Sequence, residues 1–206
     1  MKNVKIALTS LLVGALLLTT SCSDDDSPEQ GHHHDEVTLV QVIVTDGDGN
    51  TETYDIHAEH EDHDDKNGNK EEDDEVEIEL YANSTYSVEI KFLNDEDPND
   101  IEDATLEILE EKDEHFIVFS KEAGVNLSIT RTDDASSTRA DGNKIGLSTD
   151  WTTGAASPEG HVEVKLYHEP TEVSEASNGN DFGSVGAGSE TDVDVHFAVV
   201  VIEQPV

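Results

Sequence analysis

Positive charge is what this sequence has least of. Eleven Lys and Arg stand against 49 Asp and Glu, a formal net charge of −38 over 206 residues. Phosphate binding needs clustered basic side chains, so nucleic acid and anionic lipid are excluded as charge-recognised partners. Cysteine is nearly absent too: Cys22 stands alone. Once acylated, as argued below, it leaves no thiol for a disulfide, a Cys–zinc site or cysteine catalysis. The chain has no Gly-rich phosphate loop, no Gly-x-Ser-x-Gly elbow and no His-Glu-x-x-His motif. His168-Glu169 stops at Pro170, which forbids a continuing zincin helix, and His60-Glu61-Asp62-His63 spaces its histidines by three rather than four. No nucleophile, base and orienting group can be named together, so no enzyme is expected.

What is present begins with an export signal. Lys2 and Lys5 precede an apolar run from Ile6 to Leu18, too short to span a bilayer as a mature helix. Thr20-Ser21-Cys22 follows, and resembles the lipobox at which bacterial lipoproteins are cut and acylated. Leu18 lies four residues before Cys22, where three is usual. Ser23-Asp24-Asp25-Asp26 resembles the export tag of Bacteroidetes lipoproteins displayed on the outer surface. Residues 1–21 are therefore expected to be a lipoprotein signal peptide, and Cys22 the lipidation site that attaches the chain to the outer membrane, facing the cell exterior. Each buried CH₂ of an acyl chain adds about 0.8 kcal/mol, so the several chains of a lipoprotein cysteine anchor stably.

Residues 22–36 read as a disordered acidic tether containing His32-His33-His34. Those three are either a secondary metal-catching tract or part of a solvated linker. A single domain is expected over residues 37–206. Val37 to Val44 is rich in β-branched residues, and Asp46-Gly47-Asp48-Gly49-Asn50 separates it from Thr51 to Ile56, the signature of a hairpin. The same Asp-x-Asp-x-Asn spacing opens an EF-hand loop, but Thr51 replaces the sixth-position Gly and no helices flank it. Val76 to Leu80, Tyr86 to Phe92, Phe116 to Phe119, Gly124 to Thr130, Leu147 to Thr152, His161 to His168 and Asp192 to Glu203 supply further strands, most with alternating polarity. Ile101, Ala104, Thr105, Ile108 and Leu109 recur at helical spacing and predict a helix from about Ile101 to Lys112, capped by Asn99 or Asp100. Thr171 to Glu190 reads as a loop. The expected fold is all-β: an antiparallel, immunoglobulin-like β-sandwich of about seven to eight strands with one short helix and acidic loops.

The loop over residues 57–75 is rich in histidine and acid. His57, His60 and His63 recur every three residues beside carboxylates, and Glu61 and Asp64 offer oxygen. Zinc takes four such ligands, and imidazole also suits copper and nickel. On a helix the three imidazoles would share about a third of the circumference. On a strand only His57 and His63 would share a face. A solvated acidic loop with incidental histidines is the bland alternative. His115 and His168 are candidates for a second, folded metal site. His161 and His196 are placed on outward faces of their strands.

Several stretches resemble a group of small Bacteroidetes lipoproteins labelled "type 1 periplasmic binding fold superfamily protein". They are Leu80 to Tyr86, Asp113-Glu114-His115, Thr152 to Ser157, Tyr167-His168-Glu169-Pro170 and Gly188 to Val193. The resemblance spans about Val37 to Ile202 and rests largely on turn and strand residues. A periplasmic binding fold takes two α/β lobes, for which this chain is too short and too poor in helix, so the β-sandwich remains the expected fold. The group is similar to lipoproteins that accompany TonB-dependent outer-membrane receptors, and such a receptor is the partner implied. In the group His115 and His168 sit within shared motifs, whereas the His57–His63 run is this chain's own. The function expected is capture of a divalent transition metal, zinc foremost, at the cell surface and its transfer to the receptor. The alternative is a non-catalytic structural or adhesive sandwich that binds calcium weakly.

Overall fold

In the computed structural model, residues 37–58, 75–178 and 181–205 are described. The first hairpin forms as its turn residues require: β1 (Leu39–Thr45) pairs with β2 (Thr51–His57) in antiparallel register. The carboxylate of Asp46 closes the turn. Its Oδ1 accepts the backbone N–H groups of Asp48 and Asn50, each at 2.9 Å, and its Oδ2 accepts the Asn50 side-chain amide at 2.8 Å. Both oxygens thus serve the turn, which is the hairpin reading of this segment.

The chain continues through β3 (Glu77–Tyr81), β4 (Thr85–Asn94), a two-residue β5 (Glu102–Asp103) and a short helix α1 (Thr105–Glu110). It then runs through β6 (His115–Lys121), β7 (Leu127–Arg131), a 3₁₀ turn at Ala135–Ser137, β8 (Ser148–Thr153), β9 (Ser157–His168), β10 (Val173–Asn178), β11 (Asp181–Val185) and β12 (Glu190–Ile202). One sheet has the order β2-β1-β4-β8-β7, with β5 on β4. The other runs β10-β11-β6-β9-β12-β3. The fold is an all-β sandwich with one short helix.

Four details differ from the sequence reading. Among the described residues twelve strands form where seven or eight are expected. The β3–β12 pair is parallel, although every other pair among the described strands is antiparallel. The expected loop from Thr171 to Glu190 contains the β10–β11 hairpin, whose Ser- and Gly-rich sequence carries no apolar alternation to betray it. The helix starts at Thr105 because Glu102 and Asp103 are held extended against Asn94 and Leu93. Ile101 is consequently 56% exposed and joins no packed face. Neither Asn99 nor Asp100 caps the helix. Its cap residue is Ala104, and Asp103 Oδ1 accepts the Thr105 N–H at 3.1 Å.

The core lies between the sheets. Val40, Val42, Val88, Ile90, Phe92 and Trp151 face it from the first sheet, and Ile117, Phe119, Val164, Leu166, Val195 and Phe197 from the second. Trp151 bridges the layers by stacking on Phe197, centroids 6.1 Å apart.

Among the described residues one basic side chain, Arg131, is buried in this core. The guanidinium of Arg131, at the end of β7, lies over the Phe116 ring at 4.6 Å and donates from Nη2 to the carbonyls of Ile117 (2.6 Å) and Phe182 (2.7 Å). It thereby ties the first sheet to β6 and β11 of the second. Gly146 (φ +105°) and Gly183 (φ +110°) line its slot. A Cβ at Gly146 would stand 2.5 Å from Nη1, and one at Gly183 would collide with Nη2. Burial lowers the Arg131 pKa to about 10, opposed by the nearby charges of Asp133 and Glu175. The buried Asp133 carboxylate accepts the N–H groups of Gly146 and Leu147, and its own pKa is raised by desolvation. Truncating Arg131 would orphan two carbonyls and open a cavity, so Arg131→Ala should cost about 3 kcal/mol of stability. Urea unfolding checks this. A loss below about 1 kcal/mol, the worth of one ordinary hydrogen bond, would show that the guanidinium does not hold the sheets together.

Candidate metal centre

Strand alternation brings His115 and His168 together. In β6, His115, Ile117 and Phe119 share one parity. In β9, Val164, Leu166 and His168 share the matching one. The register pairs His115 with His168, Ile117 with Leu166 and Phe119 with Val164. Both histidines therefore continue the core-facing rows out to the rim of the sandwich, where the apolar row ends. Their rings stack with centroids 5.0 Å apart and planes 14° apart.

His115 is almost wholly buried. Its Nδ1 lies 3.1 Å from the carbonyl oxygen of Glu111, at the C-terminal end of α1. A carbonyl can only accept, so Nδ1 carries the proton. Its Nε2 faces the Asp192 carboxylate at 3.9 Å. A register shift between Thr191 and Val193 in the β9–β12 pairing falls at Asp192, the kind of bulge that re-aims a side chain. Arg139 Nη1 donates to the His115 carbonyl at 2.7 Å and steadies the strand start.

His168 is the ring with acidic company. One ligand atom each from Glu114, His168 and Glu169 lie within 4.8 Å of one another, and His168 Nε2 is 3.9 Å from Glu114 Oε2. Glu114 and Glu169 are exposed; His168 is half-buried. Two ligands about 2 Å from a tetrahedral ion stand about 3.3 Å apart, so a modest closure of these side chains would let three donors reach one cation. Glu169 adopts φ +44°, in the left-handed region, and its N–H donates to the Glu114 carbonyl at 2.7 Å. That bond holds the two carboxylate-bearing residues next to each other.

The geometry separates the two histidines that the sequence offers as one site. Imidazole lone pairs lie in the ring plane. Two rings stacked nearly parallel cannot both aim at one ion about 2 Å away. His168 joins Glu114 and Glu169, while His115 supports it from below. Glu114 and Glu169 are the residues that sequence reading passed over as ligands. Their place beside His115 and His168 is visible in the sequence, but the cross-strand register that brings the two histidines, and so the two acids, together is not.

His57 belongs to the end of β2, opposite Leu39, and not to the loop in which the sequence reading put it. Its side chain is 68% exposed, and Nδ1 is 3.8 Å from Asp95 Oδ2. Its expected co-ligands His60, Glu61, His63 and Asp64 lie outside the described residues, as do Cys22, His32, His33 and His34. Among the described residues no helix is long and apolar enough to cross a membrane. The chain matches no protein-family model, no curated protein and no solved structure.

A second histidine pair occupies the outer face of the second sheet. His161 Nε2 is 2.8 Å from Glu75 Oε1 and its Nδ1 is 3.1 Å from Glu122 Oε1, with His196 edge-on at 6.1 Å. The hydrogen bond to Glu122 leads in raising the His161 pKa above its ordinary 6.5, and the same bond lowers Glu122 below 4.5. A raised imidazole stabilises the fold below its unfolded pKa and stops doing so as pH rises through the folded value. A lowered carboxylate acts above its unfolded pKa. The bridge therefore contributes between about pH 4.5 and somewhat above pH 6.5. His161→Leu should lower the urea midpoint at pH 6 more than at pH 9. An equal deficit at both would mean that packing, not charge, is what His161 supplies.

Proposed function

We propose that the chain is a surface-exposed lipoprotein that binds a divalent transition metal, zinc foremost, and assists a TonB-dependent outer-membrane receptor. The observation that carries this reading is the convergence of Glu114, His168 and Glu169 at the rim of the sandwich. One imidazole and two carboxylates form a mixed nitrogen and oxygen set that suits zinc and leaves a fourth position open. A three-ligand site at the rim with a fourth position open fits capture and release better than permanent structural binding. The formal charge of −38 raises the local concentration of any cation around it. On this reading the acylated Cys22 moors the domain, and His57, His60 and His63 with Glu61 and Asp64, together with His32, His33 and His34, gather metal for the rim site. The role is binding and not catalysis.

Calorimetric titration with zinc tests the rim site. His168→Ala should lose at least tenfold in affinity, and Glu169→Gln several-fold, while His115→Phe should lose less than His168→Ala. Unchanged zinc affinity in His168→Ala would end the rim-site proposal. The second reading, a structural or adhesive sandwich with loosely bound calcium, draws on the same two carboxylates, since calcium takes oxygen ligands. It requires a calcium response that survives His168→Ala and that zinc does not reproduce. Protease treatment of intact cells checks the placement: a surface lipoprotein is cleaved, and an inward-facing one is protected.

A further inference from the structure

At the seam where β2, the edge strand of the first sheet, meets β12 near the edge strand β3 of the second, the sandwich has a cavity of about 150 Å³. Its apolar floor is Val44, Leu80 and Ile202, and its aromatic walls are Tyr54, Tyr81 and Tyr86. Asp46, Glu52 and Glu79 stand at the rim. No Lys, Arg or His lines it among the described residues.

The polar groups of the walls are already arranged. Tyr54 donates its hydroxyl proton to Glu52 at 2.6 Å, and the Tyr86 oxygen accepts the Tyr81 N–H at 2.7 Å. These bonds fix the ring planes. Desolvation raises the Tyr54 pKa, helped by the hydrogen bond to Glu52 and the charges of Glu52 and Glu79, so the ring stays a neutral phenol. None of Asp46, Glu52 and Glu79 forms an ion pair with a basic residue among the described residues. Carboxylates that leave their charge uncompensated beside electron-rich ring faces attract a cation by two routes, Coulomb and cation–π. Drug-sized ligands need about 300 Å³ or more, so this cavity takes something nearer one side chain.

We propose that this seam cavity binds a small organic cation, an ammonium or guanidinium on a short aliphatic stem, with the stem on Val44, Leu80 and Ile202 and the charge between the tyrosines and Glu52 and Glu79. The same chemistry has two sources: a free organic amine, or an Arg or Lys side chain of a partner protein. Neither depends on the metal centre, which lies elsewhere in the fold at the start of β6 and the end of β9.

The test is calorimetric titration of the purified protein with n-butylguanidinium, n-butylammonium and the neutral isostere n-butylurea. A capped Gly-Arg-Gly tripeptide forms a further arm. Chelator silences the metal centre, and about 0.15 M salt screens the diffuse field of the acidic surface. Both alkyl cations should bind and the urea should not. Glu52→Gln/Glu79→Gln should weaken binding roughly tenfold and Tyr81→Ala several-fold, as loss of paired charge and of a ring face implies. Glu102→Gln/Glu110→Gln removes the same charge from an exposed site away from the cavity and should leave binding unchanged. Circular dichroism confirms that each variant is folded. Binding of alkyl cations but not of the tripeptide assigns the site to free amines; binding of the tripeptide at least as tightly as n-butylguanidinium assigns it to a partner's side chain. The proposal is overturned if nothing binds, if the urea binds as well as the cations, or if the control variant loses as much as Glu52→Gln/Glu79→Gln.

Discussion

The antiparallel register between β6 and β9 is the constraint that links core to surface. It sets Phe119 against Val164 and Ile117 against Leu166, both fully or almost fully buried. Two residues further it sets His115 against His168. A strand alternates with a period of two, so the histidines inherit the inward direction of the apolar residues before them. A slip of one residue would turn the buried row to water and break the stack of the two rings together. The rim site therefore rides on the stability of the core. Glu114 and Glu169 can be exposed and still sit close to each other because the strands behind them cannot move.

The acid-rich composition shapes the rest. With 49 acidic residues the chain cannot neutralise itself, and the sandwich answers by sending carboxylates outward along both sheets. Its few cations are used with economy. Lys165 stands between Glu163 and Asp194 on adjacent strands, at 3.1 and 2.9 Å. Arg139 braces the start of β6. Arg131 goes inside, where two carbonyls, two aromatic rings and the field of Asp133 offset the loss of water. A guanidinium suits this place better than an ammonium would: it is planar, it stacks on rings, and it is more weakly hydrated.

The strands with apolar alternation were legible in the sequence. So was the first turn, because Asp-Gly chemistry states its own geometry. The β10–β11 hairpin was not legible, since Val173 to Val185 is polar and gains its place from Arg131, which reaches the Phe182 carbonyl across the sheets. The parallel β3–β12 pair was hidden for a related reason: which edge a strand joins is a long-range choice that no local pattern records. For the site, His115 and His168 stood out one at a time. That they stack, and that the acids beside them converge, depends on register between strands roughly fifty residues apart in sequence, which single-sequence reading cannot fix.

Glu169 shows how the backbone bears on the rim. Two non-glycine residues among those described have positive φ, Asn83 at 55° and Glu169 at 44°. Asn visits the left-handed region readily, because its short amide bonds locally. Glu has no such help and meets a cost of about 1–2 kcal/mol that Gly would avoid. Pro170 follows immediately and further narrows the backbone choices of Glu169. The conformation is held by the Glu169 N–H to the Glu114 carbonyl, at the point where β9 ends. Glycine would serve the turn at lower cost. A glutamate there makes sense if its carboxylate is needed, and its carboxylate stands with those of Glu114 and the ring of His168. The strained residue and the convergent one are the same, which ties the local backbone to the proposed chemistry more closely than composition could.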